Sequence, residues 1–198
     1  MKLYSLMVFY KGGDEVRLLK GEYDLQSFGF FQRGSIREFM SFTGKIIVER
    51  STQQSRSSVK EQDYMCHCYV RGDGLSAVLV SDVEYPQRVA FTMLANVLED
   101  FSNRVPSHTW PTANETSVRY EGLSQALMKY QNPSEADSIN RVQTEIDETK
   151  VVLHDTIQAV LERGEKLDDL VEKSEGLSAQ SKMFYKQARK MNKCCSWF

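Results

Sequence analysis

The chain has 198 residues, 41% of them hydrophobic, and a formal net charge of -2. That length holds one full domain plus an appendage, and the apolar content supports a packed core, which excludes wholesale disorder. A near-neutral charge argues against a nucleic-acid binder, which would be clearly basic, and no run of 18 apolar residues is present to span a membrane.

The opening "MKLYSLMVFYKGG" has no apolar region followed by small cleavage residues, so no signal peptide is expected and the four cysteines are read as reduced thiols on the cytosolic side. "KLYSLMVFY" alternates and is β-rich; across the "KGGD" turn, "EVRLLKGEYDL" completes a hairpin. From Ser35 to Arg50 the spacing becomes helical, with Ile36, Phe39, Met40, Thr43 and Ile47 on one face. The polar "STQQSRSS" reads as a loop. Short β-runs follow near Ser58–Glu61, in "YMCHCYVR" and in "LSAVLVS", the last two joined by "GDG". A helix is expected over "YPQRVAFTMLANVLEDFSNRV", with Pro86 near its first turn. A loop carrying Pro106 and Pro111 then leads to a short helix around Gly122–Tyr130. The order ββαβββαα predicts an α+β fold, with a five-stranded, largely antiparallel sheet and helices on its faces.

Chemistry-bearing motifs are sparse in this front half. "CHC" at Cys66–Cys68 lacks the second Cys/His pair a zinc site needs; in a strand Tyr64, Cys66, Cys68 and Val70 share one face, so the thiols read as core. "RGD" at Arg71–Asp73 reads as a hairpin tip. His67, His108 and His154 are scattered without a nucleophile beside them, and no phosphate-binding or metalloprotease spacing occurs. No active site is expected. Phe42 and Ile46 sit to one side of the main helical stripe. Either the stripe is wide, or Phe39, Phe42 and Ile46 line an exposed apolar groove for a partner segment or lipid.

Near "YQNPSEADS" the changing periods give way to a single one. The expected divisions are a front domain over 1–131, a linker over 132–138, a helical motif over 139–192 and a tail over 193–198. In that motif a period of 3.5 runs through Ile139, Val142, Ile146, Thr149, Leu153, Thr156, Val160, Arg163, Leu167, Leu170, Ser174, Leu177, Ser181, Phe184, Ala188 and Met191. This is a coiled-coil seam with an arginine at its centre. Burying a lone guanidinium is costly unless its donors find acceptors, so a partner must supply them at that layer and Arg163 would set register and partner choice. The other reading is a solvent-exposed single helix with Arg163 snorkelling.

"VLERGEKLDDLVEKSEGL" (160–177) resembles the centre of an R-SNARE motif of the synaptobrevin class, and the layers match on both sides from Ile139 to Met191. The front half is similar to a longin (profilin-like) domain in its element order and in "KEQDY…YV…VLVS…EYPQRVAF". The resemblance is to the prenylated longin R-SNAREs that lack a transmembrane anchor. It implies that Arg163 meets three glutamines, from three Q-SNARE helices, in a parallel four-helix bundle driving vesicle fusion. It also implies residence in the cytosol and on the cytosolic face of Golgi, ER, endosomal or vesicle membranes. A longin-type adaptor or tether, whose coiled coil is only an assembly arm, is the alternative; an acyltransferase using Cys194 or Cys195 lacks a base.

The ending "KCCSWF" is a Cys-a-a-X pattern, with Cys195 for a farnesyl or geranylgeranyl group and Cys194 for palmitoyl. Ser196 and Trp197 replace the usual aliphatic pair, which leaves the prenyl group open. After Glu175 the charges are basic only (Lys182, Lys186, Arg189, Lys190, Lys193), which suits an anionic membrane surface. A continuous helix over Ile139–Met191 would be about 80 Å long, against about 35–40 Å for the front domain. It cannot fold back intact. The expectation is a chain broken near Gly164 and Gly176, wrapped over the groove beside Phe42 and Ile46 and sheltering the lipid, in the autoinhibited manner that the longin resemblance also implies.

Overall fold

The computed structural model describes residues 1–13, 15–134 and 151–191. Strands β1 (Leu3–Gly12) and β2 (Glu15–Tyr23) form the first hairpin, and α1 (Arg33–Arg50) follows a 3-10 turn at Phe30–Gln32. Then come β3 (Ser55–Glu61), β4 (Tyr64–Val70), β5 (Leu75–Asp82), α2 (Gln87–Arg104) and α3 (Gly122–Tyr130). The order expected for the front half is the order found.

Both sheet faces are covered, so the central strands are apolar on both sides instead of alternating with polar residues. Along β5, Leu75, Ala77 and Leu79 face α2 and α3, while Val78 and Val80 face α1. Tyr64, Cys66, Cys68 and Val70 share the α1 face, and burial pushes both thiols up to about 12, which makes them inert core groups. The α1 stripe docks closely because Gly44 stands opposite β1, where a Cβ would lie 3.1 Å from both Met7 Cε and Phe9 Cζ. "RGD" is the β4–β5 hairpin turn, closed by Arg71 donating to Asp73 at 2.8 Å.

Two expectations need correction. The stretch "STQQSRSS" is not all loop: β3 begins at Ser55 and pairs with β4 from Ser55↔Val70 through Glu61↔Tyr64. Two of its polar side chains find neighbours in place, Ser58 Oγ lying 2.8 Å from His67 Nδ1 and the Arg56 guanidinium 4.8 Å over the Tyr69 ring. Composition alone therefore hid the strand. The sheet has six strands, not five, in the order β2-β1-β5-β4-β3-β6. The sixth, β6 (Val151–His154), comes from the seam region itself and runs parallel to β3, from Arg56↔Val151 to Val59↔His154.

The rest of the described seam region is broken into a 3-10 turn at Ile157–Val160 and two helices, α4 (Leu167–Lys173) and α5 (Ala179–Met191). The breaks lie at the expected glycines, for different reasons. Gly164 has φ +92, a conformation that L side chains adopt only with strain. Gly176 has no such need. There the hydroxyls break the helix: Ser174 Oγ accepts from Gly176 and Leu177 N–H, and Ser178 Oγ accepts from Ser181 N–H at the start of α5.

Candidate functional site

The exposed flank of α1 is the surface on which the seam region lies. Phe39, 3% exposed, stacks on Tyr185 with ring centroids 5.3 Å apart and planes 17° from parallel. Val171 and Leu177 complete a small apolar cluster with that pair, and Phe42 and Leu167 pack at its margin. The helix start of α5 is tied to α1, since Ser178 N–H donates to Glu38 Oε2 at 2.9 Å. Burial alone would raise the Glu38 carboxyl, but hydrogen bonds from Ser181 and Ser178 outweigh it and hold the group below its usual range. On the far side, Tyr185 Oη donates to Asp168 Oδ1 at 2.6 Å and Arg189 donates to the same oxygen, joining α4 to α5. Those hydrogen bonds, Tyr185's the largest effect, keep Asp168 ionised below its ordinary value.

Two further contacts anchor the stretch before α4. Ile157 is buried, its N–H donates to Glu61 Oε2 at 3.0 Å, and with Leu167 it roofs a void of about 20 Å³ whose floor includes Val59 and Cys66. Arg50, at the end of α1, donates to both oxygens of Glu165 at 2.8 and 3.1 Å and to Glu162 at 3.4 Å. Glu165 Oε2 also accepts from Glu162 N–H at 2.9 Å, which tightens the loop around Gly164. Arg163, between these acids, is exposed to solvent.

The seam residues thus divide. Leu177, Ser181 and Ala188 are buried, and Val160, Leu167 and Phe184 are partly buried against the α1-side core. Leu170 and Ser174 line a cleft of about 670 Å³ whose opposite wall is α1, with Phe42, Ile46 and Glu49. Phe42 is half-buried and Ile46 is 5% exposed, so the groove has a covered floor. Leu153 is exposed at 62%, and Thr156 caps the following turn through a 3.2 Å bond from Ala159 N–H. Ile139, Val142, Ile146, Thr149, the side chain of Met191, and Cys194 and Cys195 lie outside the described residues, as do residues 135–138 of the expected linker and the tail over 193–198.

Sequence reasoning missed four contributors: Val171, Tyr185, Ile157 and Arg50. Val171 and Tyr185 each follow a seam residue by one position, so a search for period 3.5 passes over them. Their type was a signal, because an apolar or aromatic residue just off a seam widens the apolar stripe beyond what one interface uses.

No helix among the described residues is long and apolar enough to cross a membrane. Family models match in two places: a regulated-SNARE-like (longin) domain over residues 25–127 and synaptobrevin over residues 138–198. Among curated relatives, a synaptobrevin homolog YKT6 from Eremothecium gossypii is 48% identical over 197 residues, covering 98% of each chain. Those from Schizosaccharomyces pombe and Saccharomyces cerevisiae are 49% and 46% identical, again over 98% of each chain. The front half folds in the expected element order, the back half matches the synaptobrevin model, and relatives of this kind align nearly end to end. The chain therefore belongs to the longin-domain branch of the synaptobrevin family, as an R-SNARE of vesicle trafficking and membrane fusion.

Proposed function

We propose that the folded-back arrangement is the resting state of this R-SNARE, and that it stores the helix and a lipid until a membrane and partner helices are at hand. The observation that carries this reading is a double use of the same side chains. Leu177, Ser181 and Ala188 belong to the coiled-coil seam and are buried against the front domain, so the two assemblies exclude each other. In the assembled form Arg163 takes its acceptors from glutamines of three Q-SNARE helices, which satisfies in the bundle a guanidinium that water satisfies at rest. Cys195 carries the prenyl group and Cys194 a palmitoyl group, since one lipid gives only marginal attachment and two hold a protein on a membrane. The cleft between Phe42, Ile46 and Leu170 shelters the prenyl chain. Its size, about 670 Å³, falls in the range of about 300–1,000 Å³ usual for small-molecule sites. The protein acts as an assembling helix, not as an enzyme, and works between the cytosol and the cytosolic face of vesicle, Golgi, ER or endosomal membranes.

Cys66 supplies the test, because its thiol lies beneath Ile157 and Leu167. Phe42→Glu puts a charge into the apolar margin of the cluster. The variant is expected to increase the radius in small-angle scattering and to raise the rate at which Cys66 reacts with a thiol reagent, read by peptide mass mapping. If the unsubstituted chain is already extended and its Cys66 already reactive, the resting-state reading is wrong.

A further inference from the structure

Three phenylalanines stand close together ahead of α1, and the fold treats them differently. Phe28 turns inward onto Tyr4, with ring centroids 5.7 Å apart. Phe30 and Phe31, in the 3-10 turn, face outward at 76% and 89% exposure, and no other aromatic ring among the described residues is exposed. A lone exposed apolar residue is ordinary, but two adjacent rings held out of the core call for a reason. The loop that holds them is built. Phe28 N–H donates to the Leu25 carbonyl at 3.1 Å and Gln32 N–H to that of Gly29 at 2.9 Å. Arg33 Nε and Nη2 donate to the carbonyls of Phe28 and Gln26 at 3.1 and 3.2 Å. The same guanidinium lies 5.9 Å from the centre of the Phe30 ring, and Phe31 meets Phe30 edge-on at 5.5 Å.

Charge and shape select the occupant. Leu25 to Gln32 contains no charged residue, and the next one is basic, Arg33. An apolar tip backed by a guanidinium is how peripheral segments sit at the boundary between headgroups and acyl chains. Asp24 and Glu22 stand just before the tip in sequence, so the local charge is mixed and no preference for anionic lipid follows. A protruding pair of rings suits an apolar phase that deforms around it, whereas a protein partner would need a matching pocket. The chain belongs to a membrane-fusion family, so a bilayer is within reach. The tip adjoins a cleft between the end of β2 and the start of α1, and β2 is the sheet edge opposite β6. The seam region packs further along α1, at Glu38 and Phe39, and leaves the rings exposed.

We propose that Phe30 and Phe31 form a second membrane contact on the front domain, inserting into the interfacial layer of a phospholipid bilayer once the C-terminus has been attached to it. Two rings alone hold the chain too weakly to keep it on a membrane. A tether at the far end of the chain raises their effective concentration at the bilayer surface, and the weak contact becomes occupied. The attached front domain is then fixed at two points and lies with the start of α1 against the membrane. This contact depends neither on the resting-state reading nor on which lipid the tail carries.

The experiment attaches the full-length chain, without its lipids, through a C-terminal histidine tag to phosphatidylcholine vesicles containing a nickel-chelating lipid. In the Phe31→Trp variant, the added tryptophan is expected to shift its emission to the blue on attachment. Phosphatidylcholine with brominated acyl chains should quench it about twofold or more, and the unsubstituted chain, measured alongside, removes the signal of Trp110 and Trp197. At limiting nickel lipid, the double variant Phe30→Ser/Phe31→Ser should attach with an apparent Kd weaker by about fivefold. Both substitutions are at exposed positions, and an unchanged Tm shows that the fold is kept. An added tryptophan that brominated lipid does not quench, or equal attachment of the double variant and the unsubstituted chain, overturns the proposal. Self-association of the untethered chain in light scattering that the double variant abolishes, with no quenching by brominated lipid, assigns the rings to a second copy and overturns the bilayer as occupant.

Discussion

Neighbouring residues in α4 meet different surroundings. Leu170 belongs to the seam and here only lines the cleft, whereas Val171, 1% exposed, is the residue buried on Phe39. Val171→Asp should therefore open the resting chain and leave bundle formation with partner SNARE helices intact. Leu170→Asp should do the reverse, blocking assembly with little change in the scattering radius. Identical behaviour of the two variants would refute the separation. His67 offers a second residue-level test. Burial lowers its pKa to about 4, with Nδ1 engaged by Ser58 and the ring edge-on to Phe91. The unfolded chain takes up this proton near pH 6.5, and the folded chain only near 4, so between those values the unfolded state binds more protons. His67 thus contributes fully above about pH 6.5, and stability falls by up to about 3 kcal/mol as pH drops towards 4. Urea unfolding at pH 7.5 and 4.5 checks this; His67→Gln should flatten the slope between them.

At the scale of elements, the described seam residues form separate short pieces where the proposed bundle needs one helix, and glycine marks where the two differ. Gly164→Ala acts on both sides. It strains the loop at φ +92 by about 1–2 kcal/mol and favours a continuous helix by about 1 kcal/mol. The combined shift of about 2–3 kcal/mol towards the open form should raise Cys66 labelling by at least tenfold. An unchanged rate would mean that the loop geometry does not control opening. The polar links around this loop matter less. Arg50 is partly exposed and Glu162 is 71% exposed, so an ion pair of that kind adds at most about 1 kcal/mol. The apolar cluster of Phe39, Val171, Leu177 and Tyr185 holds the arrangement, and the arginine fixes where the loop lies.

For the whole molecule, attachment to a membrane is expected to depend on Cys195 before Cys194, because a palmitoyl group is added where a prenyl chain has already brought the tail to the bilayer. Cys195→Ser should leave the protein wholly in the supernatant after flotation with vesicles, and Cys194→Ser should leave weak, reversible binding. A Cys195→Ser protein that still floats with vesicles would sink the lipid argument. In the proposed resting state the two halves compete for the same seam residues, so any variant that loosens the front domain's grip is expected to speed SNARE assembly, by mass action.

By itself the amino-acid sequence determined the seam, the central arginine and the element order of the front half. These rest on local properties: a period of 3.5, a charge where apolar residues recur, strand runs separated by glycine turns. It also indicated that an 80 Å helix could not lie intact on a small domain, and Gly164 and Gly176 were legible as break points. Only the tertiary structure decided what the broken pieces do. β6 is a strand because β3 presents an edge for it to pair with, although the period of 3.5 runs through "VVLH" without a break. Val171 and Tyr185 are buried instead of Leu170 and Met183 because α1 offers Phe39 at that position, a contact between residues more than 130 positions apart in the chain. The period of a segment limits which faces it can bury, and the neighbour it meets selects among them.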